Sequence, residues 1–387
     1  MKRIDLDANA TTPVLPDVLA AMEPWWREGG NPSAAHQAGQ RARTAVERAR
    51  AQVAALLGAA AKEVVFTSGG TEADNLALGG VLQPFLDRGE PAHLVTTQIE
   101  HHAVLFAAEA LERRGIGVTY VAPGRDGVVP AEAVVEALRP ETKLVSVMLA
   151  NNETGVVQPV GRIARLVKAK QPGVLVHTDA VQGAGKMALD LSGEFKNVDL
   201  LAISGHKMYA PQGTGALFVR KGVTLQPLVY GGPQERQRRA GTENVPGIVG
   251  LGRAAEMARE WLAAGGAQEL AGLRDGFETG VLGRVSGVAV NGEGAPRVVN
   301  TTNLRFEAVD AEALLIALDM QGVAASFGAA CMSGATEPSH VLTAMGLTHA
   351  EAKGSLRFSL SRVTMVEDVE RAVEVIADCV GRVRRAR

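Results

Sequence analysis

Val174-Leu175-Val176-His177-Thr178-Asp179 and, further on, Leu200-Leu201-Ala202-Ile203-Ser204-Gly205-His206-Lys207 decide how this chain is read. Each is a short apolar run that stops on groups able to do chemistry. Neither alternates apolar with polar, as a strand with one wet face would. Similar runs stand at Val64 to Thr67, Leu94 to Thr97, Val118 to Val121, Leu144 to Met148 and Ala216 to Val219. Between them lie segments with helical spacing, such as Val104, Ala107, Ala108 and Leu111, or Ile163, Leu166, Val167 and Lys170. Uniformly apolar strands separated by helices predict a mostly parallel central sheet covered by helices on both faces. Ligands of such sheets sit beyond the carboxyl ends of the strands. Asp179 and Lys207 are both at such ends.

Around Gly231-Gly232-Pro233 to Gly241 the pattern breaks into a Gly/Arg-rich loop, followed by a helix from about Pro246 to Ala264. The remainder reads as an α+β unit. Arg274 to Leu282 and Ala311 to Leu318 are helical, Thr301 to Phe306 and Ser355 to Ser359 are strands, and a helix from Met365 to Val380 ends it. Ala324 to Ala335 is a small-residue stretch that reads as a mobile loop. The division expected is a large domain over 14–258 and a smaller one made of 1–13 with 259–387.

The 387 residues suggest about two domains. Hydrophobic residues at 46% and charged residues at 21% are ordinary globular values and exclude disorder or collagen. A net charge of -2 offers no basic field for direct nucleic-acid binding. Two cysteines, Cys331 and Cys379, cannot make a disulfide framework, which fits a reducing compartment. Met1 to Asp7 turns acidic before any apolar run, so no signal peptide is read, and no stretch is long and apolar enough for a membrane span. The expectation is a cytoplasmic protein without a membrane partner.

A strand-end acid and lysine suit pyridoxal 5′-phosphate: the amine forms a Schiff base with its aldehyde, and the carboxylate keeps the pyridine nitrogen protonated. A helix-capping Asp and a surface Lys are the ordinary alternative. Ser68-Gly69-Gly70-Thr71-Glu72 joins a strand to a helix, where free backbone N–H groups can hold a phosphate, with Ser204 and His206 able to complete the cradle. In Glu100-His101-His102 the histidines are adjacent and make a poor chelate, so no metal is assigned and His101 is a candidate to stack on a flat ring. Cys331 lies between glycines, whereas Cys379 sits in an apolar helix and reads as buried. Arg357 is either a surface charge on an edge strand or a clamp for a carboxylate.

Taken together the chain resembles the cysteine desulfurases of the NifS/IscS type, pyridoxal phosphate enzymes of the class V aminotransferase-like fold. The matching stretches are Leu6 to Pro13, Phe66 to Asn75, Glu100 to Val104, Asn151 to Gly155, His177 to Gln182, Ser204 to Lys207, Arg239 to Thr242, and Ala330-Cys331 followed by Glu337 to Leu342. They occur in family order. The resemblance implies the type I aminotransferase fold, an α/β architecture with a smaller α+β domain. It implies that Lys207 bonds the cofactor, Asp179 pairs with its pyridine nitrogen, Gln182 meets its ring hydroxyl, and His101 stacks on the ring. Gly70, Thr71, Ser204 and His206 would hold the phosphate, and Thr242 would reach the phosphate of a neighbouring subunit in a homodimer. Asn152 and Arg357, with Asn9, would bind the carboxylate of L-cysteine. Cys331 would take the sulfur as a persulfide, with His101 and Lys207 moving protons, and L-alanine would leave. The acceptor implied is an iron–sulfur scaffold or a tRNA-thiolation relay. Phe327, Ala329 and Met332 depart from the small hydroxyl residues usual around that cysteine. Another class V lyase, such as a selenocysteine lyase, or a sulfur-relay scaffold are the competing readings.

Overall fold

The computed structural model describes residues 3–327 and 338–385. In chain order its strands are β1 (Ile4–Asp5), β2 (Val64–Thr67), β3 (His93–Thr97), β4 (Gly117–Val121), β5 (Thr142–Ser146), β6 (Leu175–Asp179), β7 (Leu200–Ser204), β8 (Gly215–Val219), β9 (Val288–Val290), β10 (Thr301–Phe306), β11 (Val323–Ala324) and β12 (Ser355–Ser359). Seven of them form one sheet in the order β2-β8-β7-β6-β5-β3-β4. From β7 to β4 every pairing is parallel, and β8 alone runs against both of its neighbours, β7 and β2. The segment 205–214 explains the exception: it is too short to hold a crossover helix, so the chain returns antiparallel.

Both faces of this sheet are apolar, which is why its strands read as continuous runs. Val64, Phe66, Val176, Leu201 and Phe218 point into one hydrophobic cluster. Their sequence neighbours Val65, Leu200, Ala202, Leu217 and Val219 point into the other. Helices that close the first cluster include Pro16–Glu28, Gln37–Leu57, Val160–Lys170 and Val245–Ala263. Two of these cross so closely that a Cβ on Gly252 would lie 2.6 Å from the Ala49 backbone. The second is closed by Gly70–Arg88 and His102–Glu112.

A third cluster, around Leu6, Phe277, Leu304, Phe306 and Phe358, lies under the antiparallel sheet β12-β10-β9. Helices Gly266–Arg284 and Val366–Arg385 cover it, each longer than its sequence pattern suggests. The start of the chain joins this unit: β1 pairs with β11, and Asp7 bridges to Ser359.

The Gly/Arg-rich loop contains three successive residues with left-handed backbone, Glu235, Arg236 and Gln237, at φ 46°, 57° and 65°. Non-glycine residues pay roughly 1–2 kcal/mol each for that conformation. What holds it is a buried pair: Arg50 donates to both Glu235 oxygens, at 2.7 and 2.9 Å, and Glu235 also accepts from Phe66 N at 3.0 Å.

Candidate active site

The carboxyl ends of β2, β3, β6 and β7 open onto a cavity of about 470 Å³. Asn9, Gly70, Thr71, His101, Asn152 and Asp179 line it, as do Gln182, Ser204, His206, Lys207 and Arg357. Thr242 does not; it is exposed in the loop before the helix Val245–Ala263. Cys331 lies outside the described residues, as does most of the small-residue stretch around it.

Lys207 is delivered by a single 3₁₀ turn after β7. Its Nζ donates to the carbonyls of Asn9 at 2.5 Å and Ala10 at 2.7 Å. The same N-terminal stretch is laced to this turn again, Thr12 N donating to His206 O at 2.9 Å. Two distant segments therefore fix where the amine sits.

Asp179 ends β6 facing the cavity and is 5% exposed. Two further buried acids, Asp74 and Glu100, stand behind it and were not assigned a role from sequence. Burial, then the charges of Asp179 and Glu100, push Asp74 well up. Burial pushes Glu100 up to about 8, against the Thr97 hydroxyl and Met148 N–H that donate to it at 2.7 and 2.9 Å. Asp179 is raised to about 6, also by burial, but the Val181 N–H and the Lys207 charge pull the other way. Carboxylates sharing a low-dielectric site do not all ionise together. Asp179, with a backbone donor at 2.8 Å and a lysine nearby, is the one that does.

Glu100→Gln carries a testable consequence. Its carboxyl binds a proton in the native state up to about pH 8 and in the unfolded chain only up to about 4.5. Stability is thus lost as pH rises through that window, and an amide, which does not titrate, escapes the loss. The variant should be more stable than the parent by on the order of 2–3 kcal/mol at pH 7, with little gain at pH 5. Denaturant unfolding at the two pH values measures this; an equal effect at both would refute the assignment.

The turn after β2 leads into Gly70–Arg88, whose N-cap is Gly69; among the described residues no side chain caps it. The first N–H groups of a helix have no intrahelical acceptor, and here they face the cavity wall. A Cβ at Gly70 would approach Val181 Cγ2 to 2.7 Å and Ser204 Cβ to 3.4 Å, so the backbone comes close to the wall only because the residue is glycine. Glu72 braces the turn, accepting from Ser68 N at 2.9 Å and from Arg239 at 2.8 Å.

His101 caps the helix His102–Glu112, its Nδ1 accepting from Ala103 N at 3.1 Å. Burial first, then Lys207, His102 and His340, lower it to about 4. The ring is therefore neutral, with its proton on Nε2. His102 also lines the cavity and stacks on Phe106, ring centres 4.6 Å apart and 6° from parallel.

Arg357 is on the edge strand β12, yet it is 1% exposed, which rules out the surface-charge reading. It donates to Asp7 Oδ1 at 2.6 Å and to Asn152 O at 2.9 Å. Asn9 is also buried. Its amide donates to Asn152 O and Thr301 Oγ1, and its Oδ1 accepts from Lys186 and Asn300. With both amide hydrogens engaged, Asn9 acts through its backbone carbonyl on Lys207.

An ionisable acid at one end, an amine opposite, an uncapped helix start with a glycine wall, and a neutral imidazole between them form one donor set. It fits pyridoxal phosphate, whose ring nitrogen, aldehyde, phosphate and face need those four partners.

Comparison with known proteins agrees. The family profile of class-V aminotransferases matches residues 4–372. The chain is 47% identical over 385 residues to a cysteine desulfurase of a Nostoc species, spanning 99% of this chain and 94% of that protein. It is 44% identical over 384 residues to the cysteine desulfurase IscS of Methanosarcina thermophila, spanning 99% and 93%. A solved NifS-like protein superposes with a TM-score of 0.91 at 36% identity, covering 98% of this chain and 99% of that one. Built on the sheet, the lysine turn and the acid just described, the chain belongs to the cysteine desulfurases of the class-V aminotransferase family.

Proposed function

We propose that this protein removes sulfur from L-cysteine, using pyridoxal 5′-phosphate, and yields L-alanine and a persulfide on Cys331. The observation that carries the reading is the placement of Lys207 and Asp179 in one cavity with the Gly70 helix start. Lys207 would hold the cofactor by its amine, Asp179 would face the pyridine nitrogen, and Gln182 the ring hydroxyl. Gly70, Thr71, Ser204 and His206 would take the phosphate. When bound, the cofactor supplies an electron sink for charge developing at the substrate Cα.

The chain's own groups do the rest. Arg357, with Asn152, would bind the substrate carboxylate and so aim its Cα hydrogen at the Lys207 amine, which, once the substrate's own amine has replaced it on the cofactor, would be free to take that proton. His101, neutral with Nε2–H, would pass a proton at the departing product. Cys331 would attack the substrate sulfur as thiolate: a sulfur–sulfur bond forms, the substrate Cβ–sulfur bond breaks with its electron pair left on the carbon side, Cβ takes a proton, and Cα regains the one it gave up, which leaves alanine. The persulfide would go to an iron–sulfur scaffold or a tRNA-thiolation relay. Thr242, exposed and off this cavity, fits a role in the site of a second copy, in a cytoplasmic homodimer. The separate cluster around Phe277 supports a smaller domain of 1–13 with 259–387 beside 14–258.

Incubation of the cofactor-loaded protein with L-cysteine and a thiol reductant tests this. Alanine and sulfide should appear in equal amounts. Neither product, from protein that carries bound cofactor, would remove the proposal.

A further inference from the structure

Lys186 is a buried lysine, 7% exposed, that the reaction does not use. It lies four residues beyond Gln182 in the run of turns after β6, and its Nζ donates to Gln182 Oε1 at 2.5 Å and to Asn9 Oδ1 at 3.1 Å. Both partners are neutral amide oxygens. Burial, together with the charges of Lys207, Arg357 and Arg362 that face it, disfavours its charged form. Such a group is costly to bury and adds nothing to packing that Met or Leu would not. Its value must lie in what its hydrogen bonds orient.

They orient two groups that reach the cavity. An amide side chain has one accepting and one donating end. With Oε1 of Gln182 turned to Lys186, the NH₂ end is turned the other way. One of its hydrogens goes to Asn9 O at 3.1 Å, which leaves the second on the side that lines the cavity. Asn9 is fixed by the same lysine. Its Oδ1 is shared between Lys186 and Asn300, its amide is anchored on Thr301 and Asn152, and its backbone carbonyl holds Lys207. One side chain therefore ties the Gln182 amide to the peptide that seats the reactive lysine.

We infer that Lys186 is a positioning residue, which presents Gln182 to the cofactor's ring oxygen as a hydrogen-bond donor and sets the Asn9 carbonyl against Lys207. This rests on the cofactor assignment made above. A donor at the ring oxygen stabilises its anionic form, so losing the donor changes the cofactor's own protonation equilibrium.

Lys186→Met keeps length and removes the donors. The protein should still fold and load, but the pH midpoint of the bound cofactor's visible absorbance should shift upward by about one unit. Its dissociation constant for pyridoxal phosphate should rise about tenfold, as expected for one misdirected hydrogen bond. Circular dichroism and thermal midpoint report the fold separately. A folded variant with the parent's midpoint and affinity would overturn the inference. If Lys186→Met does not fold, Lys186→Ala, which also removes the donors but with a smaller side chain, decides: a displaced midpoint supports the role, and an unchanged one refutes it. Failure of the site itself is distinguishable, because the unmodified protein would then show no visible band that borohydride fixes to Lys207.

Discussion

Lys207→Ala is expected to lower alanine formation from L-cysteine by on the order of 10⁴-fold or more, with little effect on folding. General acid–base catalysis alone accounts for about 10²–10⁴-fold. The same amine also anchors the cofactor covalently, so its removal takes away a second contribution. The half-buried side chain sits on a short turn and gives its hydrogen bonds to the Asn9 and Ala10 carbonyls, outside the three hydrophobic clusters. Thermal melting should therefore move by a few degrees at most. Lys207→Arg should not restore turnover, since a guanidinium stays protonated and cannot accept the Cα proton. Rates of alanine release, with borohydride reduction followed by peptide mapping, measure both roles. Retention of a hundredth of the parent rate would show that another residue carries the proton.

Cys331→Ser is expected to separate binding from sulfur transfer. None of the described cavity residues changes, so cofactor uptake and spectrum should match the parent. Alanine formation should fall by about 10³-fold, because the attacking species is a thiolate and a serine hydroxyl is almost never ionised near neutral pH. Mass spectrometry should find one added sulfur on the parent after a single turnover and none on the variant. Unchanged alanine production would mean that sulfur leaves by a route without Cys331. Cys379→Ala provides the control. Cys379 is buried in the cluster with Phe277, and burial pushes its thiol up, away from the reactive form. Its loss should leave turnover intact.

The sequence disclosed strands better than directions. β2, β3, β7 and β8 are buried along their whole length, and uniform burial leaves a clear apolar run. Nothing in such a run says which way it points, so the reversal of β8 came only with the short 205–214 connection. The helix Gln37–Leu57 is hard to see in the sequence although Ala42, Val46, Ala49, Val53 and Leu57 recur at helical spacing. Arg41, Arg43 and Arg48 on its other faces mask the stripe. Asp179 and Lys207 were legible because strand ends are where this architecture keeps its chemistry. The importance of Asp74 and Lys186 was not, since a charged residue in a helix or turn gives no sign of its burial until distant segments close over it. Arg357 was undecidable for the same reason: its partners Asp7 and Asn152, both far off in sequence, show that the guanidinium faces inward.

That contact between Asp7 and Arg357, 350 positions apart, has a bearing on biosynthesis. Asn9, beside Asp7, also donates its backbone N–H to the Ser359 hydroxyl at 2.9 Å. Chains emerge from the ribosome N-terminus first and fold domain by domain. The head of this polypeptide can then meet Lys207 and His206 early, but Arg357 and Ser359 only after the tail is made. A chain stopped before Arg357 would therefore carry every residue assigned to the cofactor but lack the guanidinium assigned to the substrate carboxylate.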